Sequence, residues 1–183
     1  MVAAASPQSR RNVLTFGATE TLVIRKATPA DLDAIKAIAD AHRHELGFVL
    51  RPALAESIGR GEVLVAENHQ GLIGFAEYHH RRDAQTTLYH IAVIPQCRQQ
   101  GVGRALVNAL CAEASALGKL TVFLKCPADL SARGFYACLG FEVLGEEPGN
   151  GRSLIVWTLS LTENTQKTRL FRRVSPYGAE GQI

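Results

Sequence analysis

The segment ‘RQQGVGRAL’, residues 98–106, sets two glycines one residue apart between an apolar run, ‘IAVIP’, and the start of a helical pattern. The first turn of a helix presents unsatisfied N–H groups and the positive end of its dipole, and glycine lets a ligand come close to them. The chemistry that suits such a loop is the binding of phosphate. Spacing then selects among phosphate loops. The nucleotide-hydrolase pattern G-x-x-x-x-G-K-[ST] fails, because Gly101 and Gly103 are too close and neither is followed by Lys. The dinucleotide pattern G-x-G-x-x-G fits poorly, because Leu106 stands where a small residue is required. What remains is R-x-x-G-x-G, formed by Arg98, Gln99, Gln100, Gly101, Val102 and Gly103.

Two other groupings invite a chemical reading. In ‘YHHRRD’, His79 and His80 are adjacent. On a strand, neighbouring side chains point to opposite faces, so the pair cannot ligate one ion without distortion, and no metal is expected. The cluster instead suits a hairpin turn or the acceptor side of a cleft. Cys97, Cys111, Cys126 and Cys138 form no C-x-x-C pair and have no His at zinc spacing, which argues against metal and disulfide frameworks alike. A reducing, cytoplasmic setting is the default expectation.

Composition narrows the remaining classes. A chain of 183 residues with 46% hydrophobic and 20% charged residues is ordinary for one globular domain. The net charge of +3 does not call for nucleic acid, although Lys167, Arg169, Arg172 and Arg173 make a basic tail of residues 161–183. No apolar run has the length of a membrane span. Residues 1–19 lack the apolar centre of a secretory signal; their arginines and serines resemble an organelle transit peptide faintly, and a flexible extension is the simpler expectation.

The elements that must position the loop can be read from periodicity. Residues 21–25 read as a strand, and Thr28, Pro29 and Asp31 open an amphipathic helix carrying Leu32, Ile35, Ile38 and Ala39. A second helix spans 52–60, with ‘HRHELGFVLR’ left as a loop or helix end. Residues 62–66 and 72–79 form an antiparallel hairpin, and 86–94 a third strand closed by Pro95. After the glycines come a helix to Gly118, a strand over 120–126, a helix over 128–139, and strands over 141–145 and 153–160. The expected fold is a mixed α/β sheet with a strand–loop–helix unit at its middle, occupying residues 20–160.

At this point the sequence resembles the GNAT superfamily of acyl-coenzyme A-dependent N-acyltransferases. Val93, Pro95, Arg98, Gly101 and Gly103 match its pyrophosphate motif V-x-P-x-x-R-x-x-G-x-G. Downstream, ‘DLSARGFYACLGF’ matches N-x-x-A-x-x-F-Y-x-x-x-G-F at Ala132, Phe135, Tyr136, Gly140 and Phe141, with Asp129 where Asn is usual. The resemblance implies a mostly antiparallel sheet with one splayed parallel strand pair, flanked by helices. It further implies acetyl-coenzyme A as cosubstrate, no metal, an amine acceptor that is a small molecule or a protein, and a possible homodimer.

The same resemblance assigns roles. Backbone groups of Ile91, Ala92 and Val93 would hold the pantetheine arm as an added strand does, and amides from Gln99 to Arg104 the pyrophosphate, with Arg98 and Arg104 adding charge and Asp129 flanking the site. An amine attacks the thioester and coenzyme A leaves as a thiol. For a lysine-like acceptor, neutrality at pH 7 costs about 4.6 kcal/mol, so a base is useful. Tyr136 is the matched donor to the leaving thiolate. The base is less marked: residues 84–100 hold no carboxylate, Thr87 stands where some branches have Glu, and the candidates are His90 and, on the neighbouring strand, Glu77. The alternative is a non-catalytic module that binds coenzyme A or a partner on the same fold.

Overall fold

The computed structural model describes residues 12–16, 20–130 and 132–162. Eight strands form one sheet: β1 (Asn12–Phe16), β2 (Glu20–Lys26), β3 (Val63–Asn68), β4 (Gly71–His80), β5 (Gln85–Val93), β6 (Thr121–Pro127), β7 (Glu142–Pro148) and β8 (Ser153–Ser160). Their order is β1-β2-β3-β4-β5-β6-β8-β7, and every neighbouring pair is antiparallel except β5 with β6. A parallel pair needs a crossover, which α4 (Val102–Ala116) supplies.

The other helices are α1 (Leu32–Ala41), α2 (Arg43–Leu46), α3 (Arg51–Gly59) and α5 (Arg133–Cys138). α1 follows a 3-10 turn over Pro29–Asp31, where the Thr28 amide and hydroxyl both donate to the Asp31 carboxylate in the capping box that the sequence suggests. The sheet separates two apolar cores. Leu106, Leu110 and Val107 of α4 pack with Tyr78, Leu124 and Trp157 on one face, while Ile35 and Leu54 of α1 and α3 pack with Phe75 and Val65 on the other.

Three elements differ from the sequence reading. β1 lies inside the stretch read as a flexible extension, with Asn12 opposite Ile24 in an antiparallel pair. The helix expected over 128–139 is confined to α5; Ala128 and Asp129 sit in a turn closed by Leu130 N–H on Pro127 O at 3.3 Å. The stretch read as a loop or helix end holds α2, one helical turn directly after α1, stopped by Gly47 at φ 78°. The basic tail beyond 162 lies outside the described residues.

Candidate functional site

The site begins where strand pairing fails. β5 and β6 share a ladder from Gln85↔Thr121 to Leu88↔Leu124 and then part, while β6 stays paired with β8 as far as Pro127↔Leu154. From Tyr89 onward β5 is therefore bonded only on its β4 side, and a gap opens beside Ile91, Ala92 and Val93. Backbone groups of an extended strand alternate in direction, so those facing the gap are open to an extended guest. One is already used: the Val93 carbonyl accepts from Arg98 Nε at 3.0 Å.

A β-bulge lies at the same place. Tyr78 faces Leu88 and Glu77 faces His90, so Tyr89 has no opposite number. The extra residue shifts the alternation of β5. Leu88 belongs to the α4-side core, and so does Ile91, three residues later, while Ala92 packs on the α1–α3 side. His90 thereby points to the α1–α3 side, where its Nδ1 meets Glu77 Oε2 at 2.7 Å.

Glu77 is 6% exposed, and its other oxygen accepts from Ser57 Oγ of α3 at 2.7 Å. Burial alone would raise this carboxyl. The hydrogen bonds from His90 and Ser57 and the charges of His90 and Arg60 outweigh that, and hold it below the usual carboxylate range. When His90 is neutral, an ionised Glu77 favours the tautomer with its proton on Nδ1, which leaves a lone pair on Nε2. A carboxylate of β4 thus stands directly across the ladder from β5.

On the opposite side of the gap stands the glycine loop. Gln99 (φ 61°) and Gly101 (φ 82°) both take left-handed backbone, which folds the chain into a small concave turn before α4. No side chain caps α4, and the amides from Gln99 to Arg104 have no hydrogen-bond partner among the described residues. That concentration of free N–H groups at a helix N-terminus fits a pyrophosphate. The second glycine serves packing: a Cβ on Gly103 would lie 3.1 Å from the Phe135 ring.

The charged residues expected beside the loop have other partners. Arg98 makes a two-pronged ion pair with Glu45 of α2, at 3.1 and 2.9 Å. Arg104 reaches Cys138 Sγ at 3.5 Å, and Gln100 Nε2 donates back to Gln96 O at 2.9 Å. Asp129 is on the far bank of the gap, 65% exposed and 3.6 Å from Arg152, whose guanidinium also donates to His44 O at 3.2 Å. α2 is therefore tied at Glu45 to the loop and at His44 to the β7–β8 turn, and it bridges the two banks.

Tyr136 projects from α5 into the α4-side core. It is 7% exposed and packed against Phe135, Phe141 and Trp157, with ring centroids 5.2, 5.6 and 5.7 Å away. Its hydroxyl has no hydrogen-bond partner among the described residues, and burial, with a smaller contribution from Cys126, pushes its pKa above the usual phenol value.

His79 and His80 go to separate partners, as their opposite facing requires: His79 Nδ1 meets Glu62 Oε1 at 2.7 Å, and His80 meets Thr86 Oγ1 at 2.9 Å and Glu113 Oε1 at 3.1 Å. Sequence reasoning missed the His80–Glu113 contact, which belongs to a half-buried cluster with Lys26 and Tyr78 at the far end of α4. The four cysteines form no disulfide.

Known proteins share this architecture. Residues 59–143 match the sequence model of the acetyltransferase (GNAT) domain. The Ard1 structure from Thermoplasma volcanium superposes with a TM-score of 0.69 at 20% identity, covering 76% of this chain and 97% of that one. The ribosomal-protein-alanine N-acetyltransferase of Brucella melitensis gives 0.63 at 26% identity over 75% and 98% of the two chains. The acetyltransferase yncA of Salmonella typhimurium, solved with acetyl-CoA, gives 0.64 at 24% over 76% and 94%. No curated protein matches in sequence. Residues 59–143, which span the bulged strand, the glycine loop and the Tyr136 helix, are thus similar to the GNAT acetyltransferase domain, and the chain has the fold of those structures.

Proposed function

We propose that the protein is an N-acyltransferase that passes an acetyl group from acetyl-coenzyme A directly to a primary amine in a ternary complex. The observation that carries this reading is the gap between β5 and β6, which has unpaired loop amides and Tyr136 on its α4 side and the His90–Glu77 pair on its α1–α3 side. A thioester threaded through the gap would meet its leaving-group partner from one face and its nucleophile from the other.

In the reaction, His90 Nε2 takes a proton from the attacking ammonium or amine, and Glu77 balances the imidazolium that forms. The amine nitrogen bonds to the thioester carbon, and a gap-facing N–H of residues 91–93 receives the oxyanion. The C–S bond then breaks, the thiolate departs against the Tyr136 hydroxyl, and the proton it takes up is one that the nitrogen has shed. Because burial raises the Tyr136 pKa, full transfer to a thiolate of reference pKa about 8.5 is uphill, so Tyr136 acts first as a hydrogen-bond donor that stabilises the departing sulfur. Lys- or N-terminal amines both satisfy this chemistry.

The experiment is thiol release from acetyl-coenzyme A across a panel of amines, paired with calorimetry of acetyl-coenzyme A. Tyr136→Phe should lower kcat by about 10²–10³-fold while changing the cofactor Kd less than threefold. An unchanged rate removes Tyr136 from the mechanism. Tight cofactor binding with no thiol release for any amine would instead favour the non-catalytic module on this fold.

A further inference from the structure

The acceptor side of the gap continues into a groove that the acyl-transfer steps do not use. A concavity of about 480 Å³ is lined by Thr87, Tyr89, Phe123, Lys125, Arg81 and Asp83 among others, and a neighbouring one of about 540 Å³ shares Arg81, Asp83 and Tyr89 with it and adds Arg82 and His79. Tyr89 is the bulged residue, 50% exposed, and so the two concavities adjoin at the same irregularity that aims His90. The groove lies on the His90 face, since Glu77 and His79 alternate to that side of β4.

Its charges are unbalanced. Lys125 is neutralised by Glu147, and Asp83 accepts the Gln85 N–H at 2.9 Å, which closes the turn. Arg81 and Arg82 have no carboxylate partner among the described residues. Their turn is held from behind by Lys119, whose ammonium donates to the carbonyls of Arg81 and Asp83. Two uncommitted guanidiniums on a braced turn, over an aromatic floor, form a receptor for carboxylate. Arg81 lies four residues from Glu77, just past the end of β4, so at strand rise an anion held there is about 13 Å from an amine at His90.

We propose that the acceptor is an extended, acidic amine: a peptide-like chain whose free amine enters beside His90 and whose carboxylate, three or four residues on, is bound by Arg81 and Arg82. This deepens the acyl-transfer reading of the same site and rests on it. The groove is too long for a lone amino acid to bridge.

The test uses the full chain and acetyl-coenzyme A with peptides Ala-Gly-Gly-X-Gly-amide, where X is Asp, Asn or Lys, together with free alanine and aspartate. Thiol release should show kcat/KM at least 10-fold higher for Asp than for Asn, and lower still for Lys. Arg81→Gln/Arg82→Gln should erase that preference while leaving the Asn peptide rate and the acetyl-coenzyme A Kd within twofold. Equal rates for Asp and Asn, a preference that survives the double variant, or a free amino acid surpassing the peptides would overturn the proposal. A parallel arm measures anisotropy of a C-terminally labelled tetraglutamate peptide on the coenzyme A-loaded protein at 50 and 300 mM salt. Binding that weakens with salt and with the double variant, in a protein that acetylates nothing, would sink the catalytic reading and keep the groove; no binding would sink the groove by itself.

Discussion

In the proposed mechanism the His90–Glu77 contact makes one proton-handling unit of two residues that are ordinary in isolation. Neither is close in sequence to the other, and Ser57 of α3 completes the arrangement by occupying the second carboxylate oxygen. His90→Gln should cost about 10²–10³-fold in kcat/KM. It should also change the shape of the pH dependence: without a base, only amine already neutral in solution reacts, so log rate climbs with unit slope toward pH 10. Glu77→Gln keeps an oxygen for the Nδ1 proton but removes the charge that balances imidazolium, and a smaller loss, about 10-fold, is expected. A pH-independent, uniform loss in both variants would mark the pair as structural. These residues were visible in the sequence as candidates. Their partnership was not, because it depends on a bulge whose position no periodicity records.

At the scale of the element, the loop and α4 carry two glycines for two reasons. Gly101 is needed for its backbone, at φ 82°, and Gly101→Ala should cost about 1 kcal/mol, lowering Tm by about 2–4 °C in a chain of this size. Gly103 is needed for contact with Phe135. Gly103→Val should push α5 away from α4 and weaken acetyl-coenzyme A binding at least 10-fold, and calorimetry with an unperturbed Kd would refute that coupling. The strand–loop–helix unit was legible because Pro95, the glycines and the apolar face of α4 all agree. α5 was less so, since the apolar pattern of 128–139 runs on through Ala128 and Leu130, where the chain turns instead. β1 was not recovered, because a five-residue strand between polar stretches carries too little pattern to stand apart from its surroundings.

For the molecule as a whole, the sheet is pinned by carboxylates. Asp31, Glu62, Glu77 and Glu113 are all held below the usual carboxylate range by cations and hydrogen bonds that overcome burial. A carboxyl whose folded pKa is depressed contributes stability above its unfolded value, about 4, and loses it as pH falls through the folded one. The urea midpoint should therefore be flat near neutrality and fall steadily below about pH 4. Glu113 joins three elements, because Lys26, His80 and Tyr78 converge on it between β2, β4 and α4. Glu113→Gln should lower stability at pH 7 by about 2 kcal/mol and make the acid slope shallower. An unchanged slope would show that the cluster contributes nothing to acid sensitivity.

The bulge at Tyr89 has a consequence for how this strand tolerates change. Substituting any single side chain of β5 leaves its neighbours aimed as before, but deleting Tyr89 would put the strand back in plain two-residue step. Every residue beyond it would nevertheless keep its face, because Leu88 already lies opposite Tyr78 and His90 opposite Glu77: His90 and Ala92 would stay on the α1–α3 side and Ile91 in the α4-side core. The extra residue is absorbed where it stands, so a one-codon deletion of Tyr89 should leave His90 aimed at Glu77 and thiol release largely intact, and loss of activity as complete as that of a histidine variant would show that Tyr89 itself is needed.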